Sequence, residues 1–295
     1  MPVIDERVSV SVRRILLATD FSQSAEKAAT YARAVARRYG SKVDLAHVFD
    51  PATIENYGEA VVGVVASDRR EEAKAILVNL AHRFQAAGVD AEAKSLEGHF
   101  PARLLLGLAR EDEVDLIVAG TEARSGLERL VLGSTAEELV RAAECPVLTV
   151  GPGVASAEEV PFHPQRILYA TDLRPDSAKS AVFALSFAQE HGAHLYLCHV
   201  VDDPLASPEQ RRRQFHEFQT RLRHLVPDSS FDWCTPQCVV AEGEAIEEIL
   251  KLAAGVNADL IVVGAHRGSG WRSHLERGFV PSLLASATCP VLSVC

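Results

Sequence analysis

A chain of 295 residues, 47% of them hydrophobic and 24% charged, has the composition of a globular protein and more length than one core usually holds. Its formal net charge of -10 argues against general affinity for nucleic acid or anionic membranes. Asp5 and Glu6 stand where a signal peptide would carry its apolar core, and no apolar run reaches bilayer length, so the expected location is the cytoplasm.

The first elements alternate. RRILLA (13–18) is a short apolar strand, and SAEKAATYARAVARRYG (24–40) a helix with alanines on its inner face and Gly40 closing it. KVDLAHV (42–48) is a strand. FDPATIENYGEAVVGVV (49–65) reads as a loop or irregular helix start, and SDRREEAKAILVNLAHRFQAAG (67–88) as a long amphipathic helix. VDAEAKSL (89–96), FPARLLLGLARED (100–112), VDLIVA (114–119), GSTAEELVRAAE (133–144) and CPVLTV (145–150) continue as strand, helix, strand, helix, strand.

The same series then repeats. RRILLATDFS (13–22) returns as QRILYATDLR (165–174), so Asp20 and Asp172 lie 152 positions apart, as do His47 and His199 in LAHVFD and LCHVVD. VDLIVAGTEARSG returns as ADLIVVGAHRGSG with Gly120 and Gly264 only 144 apart, and CPVLTV returns as CPVLSV at that same offset. The second copy is therefore eight residues shorter (152 − 144) between its second and fourth strands. GPGVASAEEVPFHPQ (151–165) lacks either regular period and reads as a linker. The expected domains are 1–152 and 165–295, joined by 153–164.

Strands this apolar, separated by helices, require a parallel sheet covered on both faces. The expected fold is α/β: two repeated, doubly wound, Rossmann-like domains, each with a five-stranded parallel sheet ordered 3-2-1-4-5. Ligands in such sheets bind beyond the C-terminal strand ends where the winding reverses, here between strands one and four. Asp20 and the stretch GTEARSGLERLVLGS (120–134) meet there. Gly120 would let backbone approach a ligand, and Gly133 with Ser134 would open a helix whose free amides attract phosphate. Arg124 and Arg129 would add positive charge. A plainer reading stands beside each: Asp20 or Ser22 could simply cap the following helix, and Gly133-Ser134 could be only a helix start. His47 and His199 read as half-buried packing residues.

Other chemistries fit worse. No GxGxxG follows the first strand and no P-loop is present. Cys234 and Cys238, four residues apart in a strand, would be spread over roughly 13 Å, too far for one metal. The cysteines read as buried thiols in a reducing compartment. No catalytic residues and no metal ligands are assigned.

Each copy resembles a universal stress protein domain, and the chain resembles a tandem member of that family. The likeness rests on TDFS after the first strand, HVFD ending the second, ADLIVVG, and a glycine loop closing on CPVLTV. In nucleotide-binding members that loop runs G-x2-G-x9-G-[ST]. Here Gly120, Gly133 and Ser134 match, and Ala123 replaces the second glycine.

The resemblance implies an adenine nucleotide ligand, ATP with or without Mg²⁺, contacted by Thr19, Asp20, Val48, Gly120, Ala123, Gly133, Ser134 and Thr135. Asp20 and the Val48 backbone would meet the adenosine, and the glycine loop the ribose and phosphates. If a glycine at 123 serves positive φ, Ala123 costs roughly 1–2 kcal/mol, about a tenfold loss in binding.

In the second copy Arg267 replaces a loop glycine and Arg277-Gly278 stand where Gly-Ser should be, so no nucleotide is expected there. The family also implies an internal pseudo-dimer with 145–150 near 289–294, and leaves room for a homodimer of chains. The expected role is a stress-response switch rather than an enzyme. The rival is a nucleotide-independent scaffold, or a carrier of a lipid or metabolite, on the same fold.

Overall fold

A computed structural model describes residues 10–51, 59–121, 133–155, 161–174, 178–202, 207–232, 234–264 and 279–294. The N-terminal half runs β1 (Arg14–Ala18), α1 (Gln23–Tyr39), β2 (Lys42–Phe49), α2 (Glu59–Ala86), β3 (Ala91–Glu97), α3 (Pro101–Glu111), β4 (Leu116–Gly120), α4 (Ser134–Ala142) and β5 (Val147–Val150). The C-terminal half repeats it: β6 (Arg166–Ala170), α5 (Ala178–His191), β7 (His194–Val201), α6 (Pro208–Arg223), β8 (Thr235–Glu242), α7 (Ala245–Val256), β9 (Leu260–Gly264), α8 (Phe279–Ser286) and β10 (Val291–Val294).

The ten strands form one sheet in the order β3-β2-β1-β4-β5-β10-β9-β6-β7-β8. Each half is parallel and ordered 3-2-1-4-5 in its own numbering, as the apolar strands and intervening helices require. The halves join through β5 and β10, which pair antiparallel with Leu148 opposite Leu292. This is the internal pseudo-dimer that the family resemblance implied. Because that one junction is antiparallel, the C-terminal strand ends of the two halves point to opposite ends of the sheet.

Strand alternation feeds two cores. Ile15 and Leu17 face one layer, with Ala28, Ala32, Leu77 and Phe84 from α1 and α2, and with Leu185 and Leu222 from α5 and α6. Leu16 and Ala18 face the other, with Leu105, Leu139, Ile249 and Leu283 from α3, α4, α7 and α8. Both cores run through both halves, so the halves share their burial. Gly40 ends α1 at φ +67°, where the left-handed region favours glycine.

Of the segment 49–65, expected as a loop or irregular helix start, the part from Glu59 is helical, so α2 spans 28 residues against 16 in α6. EAVVGVVA carries no proline to break it. The described parts of the connecting segment are packed. A side chain at Gly151 or Gly153 would collide with the carbonyl oxygens of Leu284 and Ala287. Lys27 Nζ donates to the carbonyls of Pro152 (3.0 Å) and Val154 (2.8 Å), and Phe162 is buried against Tyr39 and Phe187. Across the same seam the Tyr39 hydroxyl bonds Glu190 at 2.6 Å, and Val10 N donates to Ser186 Oγ at 2.8 Å.

Candidate functional site

β1 ends in a tight turn, Thr19-Asp20-Phe21-Ser22. Thr19 N donates to the Ala46 carbonyl at 2.9 Å, extending the sheet by one bond. Phe21 then adopts φ +63°, a conformation that bulky L residues rarely take. Three hydrogen bonds hold it there. Phe21 N donates to Thr19 Oγ1 (3.1 Å), Ser22 N donates to Asp20 Oδ1 (3.0 Å), and His47 Nδ1 bonds the Thr19 carbonyl (2.8 Å). The His47 ring stacks on Phe21, centroids 4.4 Å apart.

This geometry separates the two readings of Asp20. Ser22, not Asp20, caps α1, accepting from Ala25 N at 3.2 Å. Asp20 spends one oxygen on the turn and is exposed, and its other oxygen has no hydrogen-bond partner among the described residues. A carboxylate so placed can accept from hydroxyl or amine donors of a ligand.

Asp20 stands on a solvent-open cleft whose cavity volume is about 150 Å³. Its floor is the C-terminal ends of β1, β2 and β4, where Ala18, Ala46 and Ala119 leave room. Val48 and Leu105 line one side, and Thr135 and Ala136 in the first turn of α4 line the other. No described side chain caps that turn, which carries the positive end of the helix dipole and presents amides to an acceptor.

The structure thus brings Thr19, Asp20, Val48, Gly120 and Thr135 together on one cleft. Gly133 and Ser134 adjoin it as the N-cap and first residue of α4. Ala123 lies outside the described residues, as do Glu122, Arg124 and Arg129.

Gly120 lines the cleft and also admits α1: a side chain there would fall on the backbone of α1, 2.5 Å from the Ser24 carbonyl oxygen and 2.6 Å from Ala25 N. Among the described residues nothing lies within 4 Å of where a Gly133 side chain would be, and its φ is an ordinary -58°. Neither the small floor residues nor the link from His47 to Thr19 was singled out in the sequence. The recurrence of alanine at the ends of strands one, two and four was the available signal.

The second half repeats the turn. Leu173 takes φ +60°, Leu173 N donates to Thr171 Oγ1 (3.0 Å), Arg174 N donates to Asp172 Oδ1 (3.1 Å), and His199 Nδ1 bonds the Thr171 carbonyl (2.9 Å). Here the carboxylate is engaged: Arg174 Nε lies 3.2 Å from Asp172 Oδ2. Arg267, Arg277 and Gly278 lie outside the described residues.

Among the described residues no three His, Cys, Asp or Glu side chains gather to hold a metal. Cys198, Cys234 and Cys289 are buried, and burial pushes each thiol up to about 12. No described helix is long and apolar enough to cross a membrane.

Comparison with known proteins agrees with this architecture. The model of the universal stress protein family matches residues 11–151 and again 164–294. A universal stress protein of Methanocaldococcus jannaschii is 32% identical over 139 residues, 47% of this chain and 81% of that protein. Among solved structures, a universal stress protein from Archaeoglobus fulgidus is similar over 97% of both chains, with a TM-score of 0.73 at 17% identity. PA1789 of Pseudomonas aeruginosa, described as functionally unknown, is similar over 96% of this chain and 92% of its own, with a TM-score of 0.59 at 18% identity. At such identities these likenesses speak for the fold alone.

Proposed function

Since the chain belongs to the universal stress protein family in each of its halves, we propose that it is a cytoplasmic stress-response protein whose N-terminal half binds ATP or a related adenine nucleotide. One observation carries this reading. A carboxylate with one oxygen unengaged among the described residues, Asp20, shares a solvent-open cleft with the start of α4 at Thr135 and Ala136, which no described side chain caps. The carboxylate suits ribose hydroxyls or an exocyclic amine, and the helix start suits phosphate. The alanine floor admits a flat ring. Mg²⁺, where present, would travel on the phosphates, with Thr135 and Ser134 the nearest hydroxyls. The second half, with Asp172 tied to Arg174, serves as the partner that completes the sheet.

The role that follows is a switch. A ligand that binds one arrangement of the cleft more tightly shifts the population toward it and changes the surface offered to partners. Binding, not turnover, is the proposed activity. The test is extraction of the purified protein for co-purifying nucleotide, followed by calorimetric titration with ATP. No heat of binding at millimolar ATP retires the reading.

One observation favours a second reading, a carrier of an apolar metabolite or lipid: Ala18, Ala46, Val48, Leu105 and Leu139 make much of the cleft apolar. Gly133→Arg separates the two. A switch loses ATP binding in this variant, whereas a nucleotide-independent carrier keeps its function.

A further inference from the structure

The two halves share the turn, the histidine and the aspartate, yet differ in the residues that make the first cleft hollow. At the 152 and 144 offsets, Ala46 corresponds to Cys198, Ala119 to Val263 and Thr135 to Phe279. Each replacement is larger. All three belong to one continuous core: Cys198 is fully buried, Val263 is 1% exposed and Phe279 is 5% exposed, in the same apolar layer as Ala245, Ile249 and Leu283. Ala245 and Ile249 are themselves the counterparts of Pro101 and Leu105 on the first cleft. Phe279 opens α8, where Thr135 sits in the first turn of α4.

We propose that Phe279 is a plug: with Val263 and Cys198 it fills the second cleft from within, and residue size at these three paired positions decides which half takes a ligand. The physical reason is packing. A close-packed interior leaves no room for a ligand unless a side chain is withdrawn, and an aromatic ring at the helix start occupies the place where a phosphate would lie. This sets the occupancy of the halves independently of their glycine loops. It rests on the proposed reading only in naming the ligand as a nucleotide.

Cys198 reports the plug directly. It lies on the second cleft's floor, and burial keeps its thiol unreactive. Cys234 is buried in the opposite apolar layer, and Cys289 shares the layer of Phe279 but sits beside Asp259 and Ile261 at the other end of the strands, so both serve as internal controls. The experiment labels native full-length protein and Phe279→Thr with a small methanethiosulfonate, and reads each cysteine by peptide mass spectrometry.

The plug predicts that Cys198 labels at least about tenfold faster in the variant while Cys234 and Cys289 stay at wild-type rates. Unchanged labelling of Cys198 overturns it. So does an equal rise at all three thiols, which would make Phe279 a global core residue rather than a local plug. The converse variant, Thr135→Phe, should weaken ATP binding about tenfold or more in a protein that still unfolds cooperatively. Wild-type-like binding by that variant also overturns the proposal. If wild-type protein binds no ATP, the nucleotide reading fails, and the thiol labelling still decides whether Phe279 is a plug.

Discussion

The imidazole Nδ1 of His47 lies 2.8 Å from the carbonyl oxygen of Thr19, and His199 repeats the contact with Thr171 at 2.9 Å. A histidine on the second strand therefore fixes the turn after the first, and with it the position of the aspartate. Replacing His47 with Phe keeps an aromatic ring against Phe21 but removes the donor to Thr19. The expected result is a stability loss of about 1–3 kcal/mol by urea denaturation. ATP affinity should fall several-fold by calorimetry. His199→Phe should cost comparable stability and leave ATP binding unchanged.

Asp20 makes one bond within the turn and offers its second oxygen to the cleft. Asp20→Asn retains an acceptor for Ser22 N while losing the charge and the second carboxylate oxygen. A charge-assisted hydrogen bond is worth roughly 1.5–3 kcal/mol, so ATP affinity should drop about tenfold or more. The melting temperature of the unliganded variant should stay close to wild type, because the side chain is exposed. Equal affinity of wild type and variant would show that the carboxylate does not contact the ligand.

The two loop glycines should respond oppositely to a methyl group. Gly120→Ala drives a side chain into the backbone at Ser24 and Ala25, which cannot yield as a flexible side chain can. Its cost should be at the upper end of the roughly 1–3 kcal/mol seen for overpacking, or beyond. Gly133→Ala meets nothing within 4 Å among the described residues, at a φ any residue adopts, and should change stability by less than about 0.5 kcal/mol. Denaturation midpoints of the two variants, measured side by side, test the contrast.

Acid should loosen the seam between the halves. His191, only 5% exposed, is held at about 4 by burial first, then by the nearby charges of Arg38 and His163. That lies below the ordinary value near 6.5. Between about pH 6.5 and 4 the unfolded chain therefore binds the proton and the folded chain does not. Folding stability must fall as pH drops through that window, by at most about 1.4 kcal/mol per pH unit from this group. Burial also lowers His199, which adds to the same slope. Urea midpoints from pH 7 to 4 should decline less steeply in His191→Phe than in wild type. Parallel slopes would remove His191 as the cause.

How much of this could be read in advance differs between fold and site. The strand order followed from apolar strands too short for helices and too uniformly apolar for a one-sided sheet, as LIVA and RILLA show. The α1 end at Gly40 was equally legible, whereas the approach of the two CPVL segments came from the family resemblance. The start of α2 was not, because EAVVGVVA has no periodicity to distinguish helix from loop. Asp20 was placed on the cleft by its position at a strand end, and Thr135 by the family resemblance. The packing of α1 against Gly120 was not legible, since sequence shows that a residue lacks a side chain but not what occupies the space.

What the sequence determined by itself is everything that repeats: the duplication, the alternation of strand and helix, and the turn after each first strand, all set by local periodicity and short-range hydrogen bonding. What only the tertiary structure decided is the partner across space. It joined β5 to β10 antiparallel, so that the halves face opposite ends of the sheet. It tied His47 to Thr19, placed α1 against Gly120, and sank Phe279 into the core where Thr135 lines a cleft. A residue's own pattern reports whether it is buried; the chain's path through three dimensions decides what it is buried against.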